Sequence, residues 1–398
     1  MSQPPLAGIV VLDLGQIYNG PYCSFLLARA GATVIKIEPP GGENMRRRAV
    51  VGGAILPFAM LNSNKSFVTL NLKTQAGREI FLEMARKADV VVENFAPGVM
   101  DRLGVGPQTL MKLNPRLVYG AGSGFGWSGP YRDYPAMDLT VQAMSGVMSI
   151  TGEADGPPLK AGPALCDFFG GVHLYGAIVT ALFERERTGQ GRFVEVAMLD
   201  AVYASLGSSL GLWFGSRGKS VPQRTGNRHG GLAEAPYNVY PTKDGWLALI
   251  CVTDQHWKNL TTAMERIDLQ SDERLGTLKG RVAHMEEVDA LVSSWTKLFG
   301  KEELFALLMR HRVPCAPVRE IGEVTSDAHM HERGILQTID HPDLGKLPLF
   351  AGPMRFEGSD AIEIMPSKAL GADTDEVLAG FLGKTKAEIG ALREIGAV

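Results

Sequence analysis

The chain has 398 residues, 45% of them apolar and 21% charged, with a formal net charge of -3. That length suits about two or three domains with a substantial core, and the balance is that of an ordinary globular chain. The slight acidity argues against a nucleic-acid binder driven by bulk basicity. Cys23, Cys166, Cys251 and Cys315 stand far apart with no CxxC or CxxH pair, so neither a zinc site nor a disulfide framework is expected. The opening MSQPPLAGIVVLDL lacks the basic start of a signal peptide. No stretch reaches the roughly 18–20 uninterrupted apolar residues of a membrane span. The expected location is the cytoplasm, with neither membrane nor nucleic acid as partner.

Strand and helix signals alternate up to residue 130. Ile9–Leu14 is a β-rich run, Pro21–Arg29 predicts a helix closed by Gly31, and Val34–Glu38 predicts a second strand. Ser66–Leu72 predicts a strand, Gln75–Lys87 a helix, Asp89–Glu93 (DVVVE) a buried strand, Val99–Leu103 the opening of a helix, and Leu117–Gly120 another strand. Apolar strands between helices imply a parallel sheet covered on both faces. Gly170–Arg187 is apolar nearly all round until its charged end, the pattern of a core helix. Thr188-Gly189-Gln190-Gly191 stops it before a strand at Phe193–Met198 and an apolar helix at Ala201–Trp213. Residues 215–235 turn rich in Gly, Arg, Ser and Asn, as a linker would. Strands around Tyr237–Tyr240 and Trp246–Val252 and helices within 254–310 follow; 312–325 predicts another boundary, and 375–395 a final charged helix.

Several places could carry chemistry. The first strand-to-helix turn, Gly15-Gln16-Ile17-Tyr18-Asn19-Gly20-Pro21, lacks the GxGxxG spacing of a nicotinamide site, although Glu38 ends the second strand where a ribose-binding acid would lie. Arg46-Arg47-Arg48 could grip phosphates or form a solvated loop. Glu93-Asn94-Phe95-Ala96-Pro97-Gly98 follows a strand's C-terminal end, where parallel sheets bind ligands; a plain β–α turn is the alternative. Asp167 lies between an apolar run and an apolar helix. It is read as the N-cap of a helix starting near Phe168, a nucleophile, or both. Cys166 reads better as a small core residue than as a nucleophile. The eight histidines are scattered, and Ser123 in Gly122-Ser123-Gly124-Phe125-Gly126 misses the GxSxG spacing of a hydrolase elbow.

Taken together, the pieces resemble the class III CoA-transferase family (CaiB/BaiF, formyl-CoA transferase-like), which has an α-methylacyl-CoA racemase branch. The resemblance is carried by Leu12-Asp13-Leu14 through Gly20-Pro21, Gly31–Pro39, Val68–Lys73, Ala88–Phe95, Gly156-Pro157-Pro158 ahead of Asp167, Glu184–Gly191, Pro236-Tyr237, Thr242–Gly245 and Trp257. It implies Asp167 as the catalytic nucleophile. It maps CoA contacts onto Tyr18, Asn19, Leu70, Lys73, Asn94, Phe95, Val99, Arg102 and Met198. Tyr18 stands where formyl-CoA transferase has glutamine, and Pro39-Pro40 where it has an arginine, which leaves Lys36, Lys73 and Arg46–Arg48 as phosphate-binding cations. Met137 replaces the proton-shuttling histidine of the racemase branch, and a thioether exchanges no proton; this weighs for transfer over racemisation. Met137, Asp138, His229, Gly230, Gly231 and Tyr237 are candidates for the surrounding shell or the substrate.

The resemblance implies an α/β fold: a Rossmann-like, discontinuous large domain at 1–214 and 326–398, a linker at 215–228 and a smaller α/β domain at 229–325, in an interlocked homodimer. Acyl-CoA and a small carboxylic acid are the expected partners, with no permanently bound cofactor and no metal. Backbone N–H groups at the start of the Phe168 helix are expected to stabilise oxyanions. A 2-methylacyl-CoA racemase or epimerase, a nicotinamide-dependent dehydrogenase and a non-catalytic CoA-binding protein are the alternatives.

Overall fold

A computed structural model of the chain describes residues 3–48, 55–358 and 362–398, the side chain of Arg48 excepted. Strands β1 (Val10–Asp13), β2 (Thr33–Glu38), β3 (Lys65–Thr69), β4 (Val90–Glu93), β5 (Val118–Ser123) and β6 (Phe193–Ala197) form one parallel sheet in the order β3-β2-β1-β4-β5-β6. β5 runs on past Gly120 to Ser123 because its exit keeps pairing with β6 up to Ala197.

Successive strand side chains point to opposite faces, and the apolar runs feed two cores. Leu12 and Val91 join Phe81 and Met84 on one side; Val11, Val90 and Val92 join Leu27, Leu174 and Ile178 on the other. Each such buried side chain contributes roughly 1.5–3 kcal/mol. The strand order reverses between β1 and β4. The loops leaving their carboxyl ends therefore part there, which opens a crevice.

Three helices build the site: α1 (Asn19–Arg29), α2 (Asp138–Met144) and α3 (Leu165–Thr188). α3 packs along α1, β5 and β6. It starts at Leu165 rather than Gly170, so Asp167 is not its N-cap but stands inside its first turn. The expected single helix at 375–395 is two, Thr374–Leu382 and Lys386–Glu394. Gly383 takes a left-handed φ of 76°, and Thr385 with Glu388 forms a capping box for the second.

The chain divides into two compact units, one of residues 1–141, 163–202 and 325–398, the other of 142–162 and 203–324. The composition shift at 215 predicts a later division. Arg224, however, donates to the carbonyls of Ser149 (3.2 Å), Glu153 (3.2 Å) and Gly156 (2.7 Å), tying 142–162 into the second unit. The helix Gly207–Gly215 belongs to the same unit, with Ser208 Oγ 3.3 Å from His229 Nε2. There β7 (Tyr237–Pro241), β8 (Trp246–Ile250) and β9 (Cys315–Pro317) make an antiparallel sheet over a core that includes Trp257, Leu260, Val292 and Leu308. β9 arises inside the stretch whose composition reads as a boundary, because Cys315 pairs with Leu249 of β8. In the first unit, β10 (Leu336–His341) and β11 (Gly345–Phe350) form a hairpin whose Phe350 stacks on Phe25 of α1 at 5.7 Å.

Candidate active site

The turn leaving β1 is held from below by buried charge. Asp13 accepts from Gly15 N–H at 2.7 Å, Ser24 Oγ at 2.7 Å and Lys65 Nζ at 2.9 Å. Burial alone would raise the Asp13 carboxyl, but the Lys65 and Lys36 ammonium groups outweigh it and hold it below the ordinary value. From the side, Asn94 clasps Gln16: its Oδ1 accepts the Gln16 N–H at 2.7 Å and its Nδ2 donates to the Gln16 carbonyl at 2.9 Å. Ile17 is thereby kept at a φ of 62°, an unusual conformation for a β-branched residue and a mark of a constrained turn. Gly20 has to be glycine, since a Cβ there would meet Asn94 Oδ1 at 2.9 Å and the Gly15 Cα still closer.

Above this turn lies a cavity of about 670 Å³ at the carboxyl ends of β4, β5 and β6. Asp167 lines it together with Asn19, Asn94, Phe95, Met137, Asp138 and Met198, all expected from the sequence. Asp167 is 7% exposed. Phe168 beside it is clamped by Tyr18, with ring centroids at 5.9 Å, and by Tyr22 at 4.8 Å. Tyr18 thus spends its ring on packing next to Asp167 and is not among the described residues that line the cavity. Asn19 Nδ2 donates to the Asp167 carbonyl at 3.3 Å. The Cys166 thiol is buried and pushed up to about 12 by that burial and by the Asp138 and Asp167 carboxylates, which makes it an inert core residue.

A second cavity of about 450 Å³ opens over β1, β2 and β3; Leu70 and Lys73 line it, and it shares Gln16, Arg47 and Phe95 with the first. Val99 and Arg102 sit on the short helix Val99–Arg102, just past the Ala96-Pro97 edge of the first cavity and outside its lining. His229, Gly230, Gly231 and Tyr237 belong to the second unit, where His229 Nδ1 accepts the Gly231 N–H at 3.2 Å and its ring meets Tyr237 edge-on at 5.4 Å.

Three expectations are corrected. Lys36 is buried and donates to the Gly15 carbonyl at 2.8 Å, so it supports the turn and reaches no phosphate. Arg46 is forked onto Glu38 at 2.7 and 2.8 Å and lies over Phe58, which removes both the cation and the supposed ribose acid. A nicotinamide site loses its one acidic cue with that pair. Finally, the start of α3 has no donors left for an oxyanion. Leu165 N–H goes to Pro163 O at 2.9 Å, Phe168 N–H to Ala164 O at 3.2 Å, and both Cys166 and Asp167 N–H to Asp138 Oδ1 at 2.8 and 3.2 Å.

The sequence also left Gln16, Arg132 and Tyr134 unremarked, though all three line the larger cavity. Gln16 follows the end of β1, so the strand-end rule that singled out Asn94 would have found it. Arg132 and Tyr134 lie between Ser128-Gly129-Pro130 and Pro135, a stretch whose turn signals mark a loop but do not say that it borders a cavity. Among the described residues, no three His, Cys, Asp or Glu side chains cluster as metal ligands would.

Comparison with known proteins finds relatives over most of the chain. The chain is 40% identical to the acetyl-CoA:oxalate CoA-transferase of Acetobacter aceti over 83% of this chain and 85% of that one. It is 35% identical to the formyl-CoA:oxalate CoA-transferase of Streptomyces avermitilis over 99% of both, and 38% identical to the succinyl-CoA:mesaconate CoA-transferase of Haloarcula marismortui over 90% of both. The crystal structure of a CaiB/BaiF family protein from Brucella suis superposes with a TM-score of 0.82 at 32% identity, covering 95% of this chain and all of that one. Residues 6–374 match CoA-transferase family III over almost the whole length. The chain is therefore an enzyme of that family.

Proposed function

We propose that the chain carries CoA from an acyl-CoA thioester to a free carboxylic acid, with Asp167 as the covalent carrier. The observation that supports this most directly is the placement of Asp167: a carboxylate almost shut off from water, on the wall of a cavity at the strand ends. Its Oδ attacks the thioester carbonyl and expels CoA thiolate, leaving an aspartyl-acyl anhydride. The thiolate attacks the aspartyl Cγ, frees the donor acid and forms an aspartyl-CoA thioester. The acceptor carboxylate displaces the thiolate from Cγ, and the thiolate then takes the acceptor's acyl group and releases Asp167. Each intermediate is open to hydrolysis, which a nearly buried Asp167 opposes. The cavity over β1–β3, with Lys73 on its wall and Arg47 shared with the nucleophile's cavity, suits the nucleotide end of CoA. Cytoplasmic location and a small polar acid as partner belong to the same reading; relatives named for oxalate and mesaconate put such acids first in a panel. Met137 weighs against racemisation, since its thioether offers no proton to exchange.

The test is trapping. Hydroxylamine added during turnover converts an activated aspartyl group, but not a resting carboxylate, to a hydroxamate. Peptide mass mapping should then show the change at Asp167, and Asp167→Asn should bind CoA yet turn over nothing. An unmodified Asp167 in an enzyme seen to transfer CoA would overturn the assignment.

A further inference from the structure

We propose that Asp138 is a positioning residue for the nucleophile: it closes the N-terminus of α3 from a different element and thereby holds the turn that carries Asp167. This rests on the reading of Asp167 as nucleophile. A helix start exposes four N–H groups that need acceptors, and a Ser, Thr, Asp or Asn at the N-cap normally provides one. The N-cap of α3 is Ala164, which makes no side-chain bond. Asp138 replaces it across 28 residues of chain, one carboxylate oxygen accepting both Cys166 N–H and Asp167 N–H. Without that oxygen, the two donors on a largely buried turn lose these acceptors, and leaving such groups unmet is costly.

Asp138 is in turn held firmly. Its loop is pressed onto the exit of β5, where any side chain at Gly124 would collide with Ala136. Phe125 meets Tyr131 and Tyr134 edge-on at 6.0 and 6.3 Å. Met137 N–H donates to Thr140 Oγ1 at 2.9 Å, which starts α2 at Asp138. The end of β5 thus fixes Asp138, and Asp138 fixes the first turn of α3. A displacement of about 1 Å of a reacting group can cost on the order of a hundredfold in rate. Asn can replace Asp in this work, because its amide oxygen accepts N–H as a cap does; Ala cannot.

The experiment compares the wild type with Asp138→Asn and Asp138→Ala, measuring backbone hydrogen exchange at 164–170 and steady-state kinetics with an acyl-CoA donor. In Asp138→Ala, the Cys166 and Asp167 amides should exchange roughly tenfold faster. Its kcat should fall by roughly tenfold or more while KM for the donor stays within about threefold. Asp138→Asn should restore the slow exchange and most of the rate. Unchanged exchange in Asp138→Ala would overturn the anchoring. So would an Asn form with wild-type exchange that turns over as poorly as the Ala form, since Asp138 would then act by its charge. Should Asp138→Ala not fold, Asp138→Leu takes its place, near in shape to Asn but without an acceptor. Misfolding of both beside a stable Asn form would overturn a role confined to this turn. Exchange needs no turnover, so a wild type that transfers no CoA defeats the proposed reaction while the anchoring is still judged on exchange.

Discussion

Glu93 ends β4 with its carboxyl group shut away from water, 1% exposed, directly before the Asn94 that clasps the β1 turn. Burial pushes it up to about 8, against the Phe95 N–H that donates to it at 2.7 Å and the Tyr119 hydroxyl at 3.4 Å. The folded protein therefore keeps a proton that the unfolded chain gives up near the ordinary value of 4.5. The stability from this group is full below that value and is lost as pH rises through about 8, by at most about 1.4 kcal/mol per pH unit for one proton. Glu93→Gln stays neutral throughout and still accepts the Phe95 N–H. Urea unfolding of wild type and variant between pH 5 and 8 should show the wild type losing stability more steeply; parallel curves would count against a protonated Glu93. At this scale the sequence showed some residues and hid others. Asp167 stood out because an acid between apolar runs demands a reason, and Asn94 because it follows a strand end. Lys36 and Lys73 look alike as letters; only strand register turns Lys36 down onto the β1 turn. Asp138 was expected only as a candidate for the surrounding shell or the substrate; its hold on the start of α3 was hidden because its partners lie 28 and 29 residues further on.

Helix contact sets the depth at which Asp167 is presented, and glycine makes the contact possible. In α3 a Cβ at Gly171 would meet the Asn19 carbonyl oxygen at 2.7 Å and Tyr22 Cβ at 3.2 Å, both on α1. At Gly176, five residues nearer the C-terminus, nothing lies within 4 Å. Gly171→Ala should therefore destabilise, because overpacking of about 1–3 kcal/mol outweighs the gain of about 1 kcal/mol in helix propensity. Gly176→Ala should stabilise by roughly 0.5–1 kcal/mol. Thermal melts of the two variants should move in opposite directions, and a shared direction would show that close approach does not govern this pair. Elements with strong periodicity were legible: the helix Gln75–Lys87 spans the residues its pattern predicts. Element ends set by distant contacts were not. The early start of α3 depends on Asp138, and the extension of β5 depends on β6.

For the molecule as a whole, the alternation of apolar strands and helices was enough to foretell a parallel, doubly covered sheet, because each βα step dictates the next by local pattern. Membership of 142–162 in the second unit was not, since it rests on long-range contacts such as those of Arg224, which reaches back over about seventy residues to backbone carbonyls that carry no sequence signature. Apolar surface leads to the last prediction. α3 is the one helix among the described residues whose length and apolar composition match a membrane span, yet it leaves Phe183 67% exposed and Val172 42%. The helix Gly207–Gly215 has no buried residue at all, with Trp213 57% and Phe214 71% exposed. Single exposed apolar side chains are ordinary, but neighbouring large aromatics on one helix are characteristic of surfaces covered in an assembly. A second copy of this chain is the occupant implied by the family resemblance. Light scattering should give a dimer mass down to nanomolar concentration. Phe214→Glu with Trp213→Glu should break it, burying charge where apolar contact is required. A stable, active monomer in the wild type would end the idea. A doubly substituted protein that stays dimeric would place the interface elsewhere.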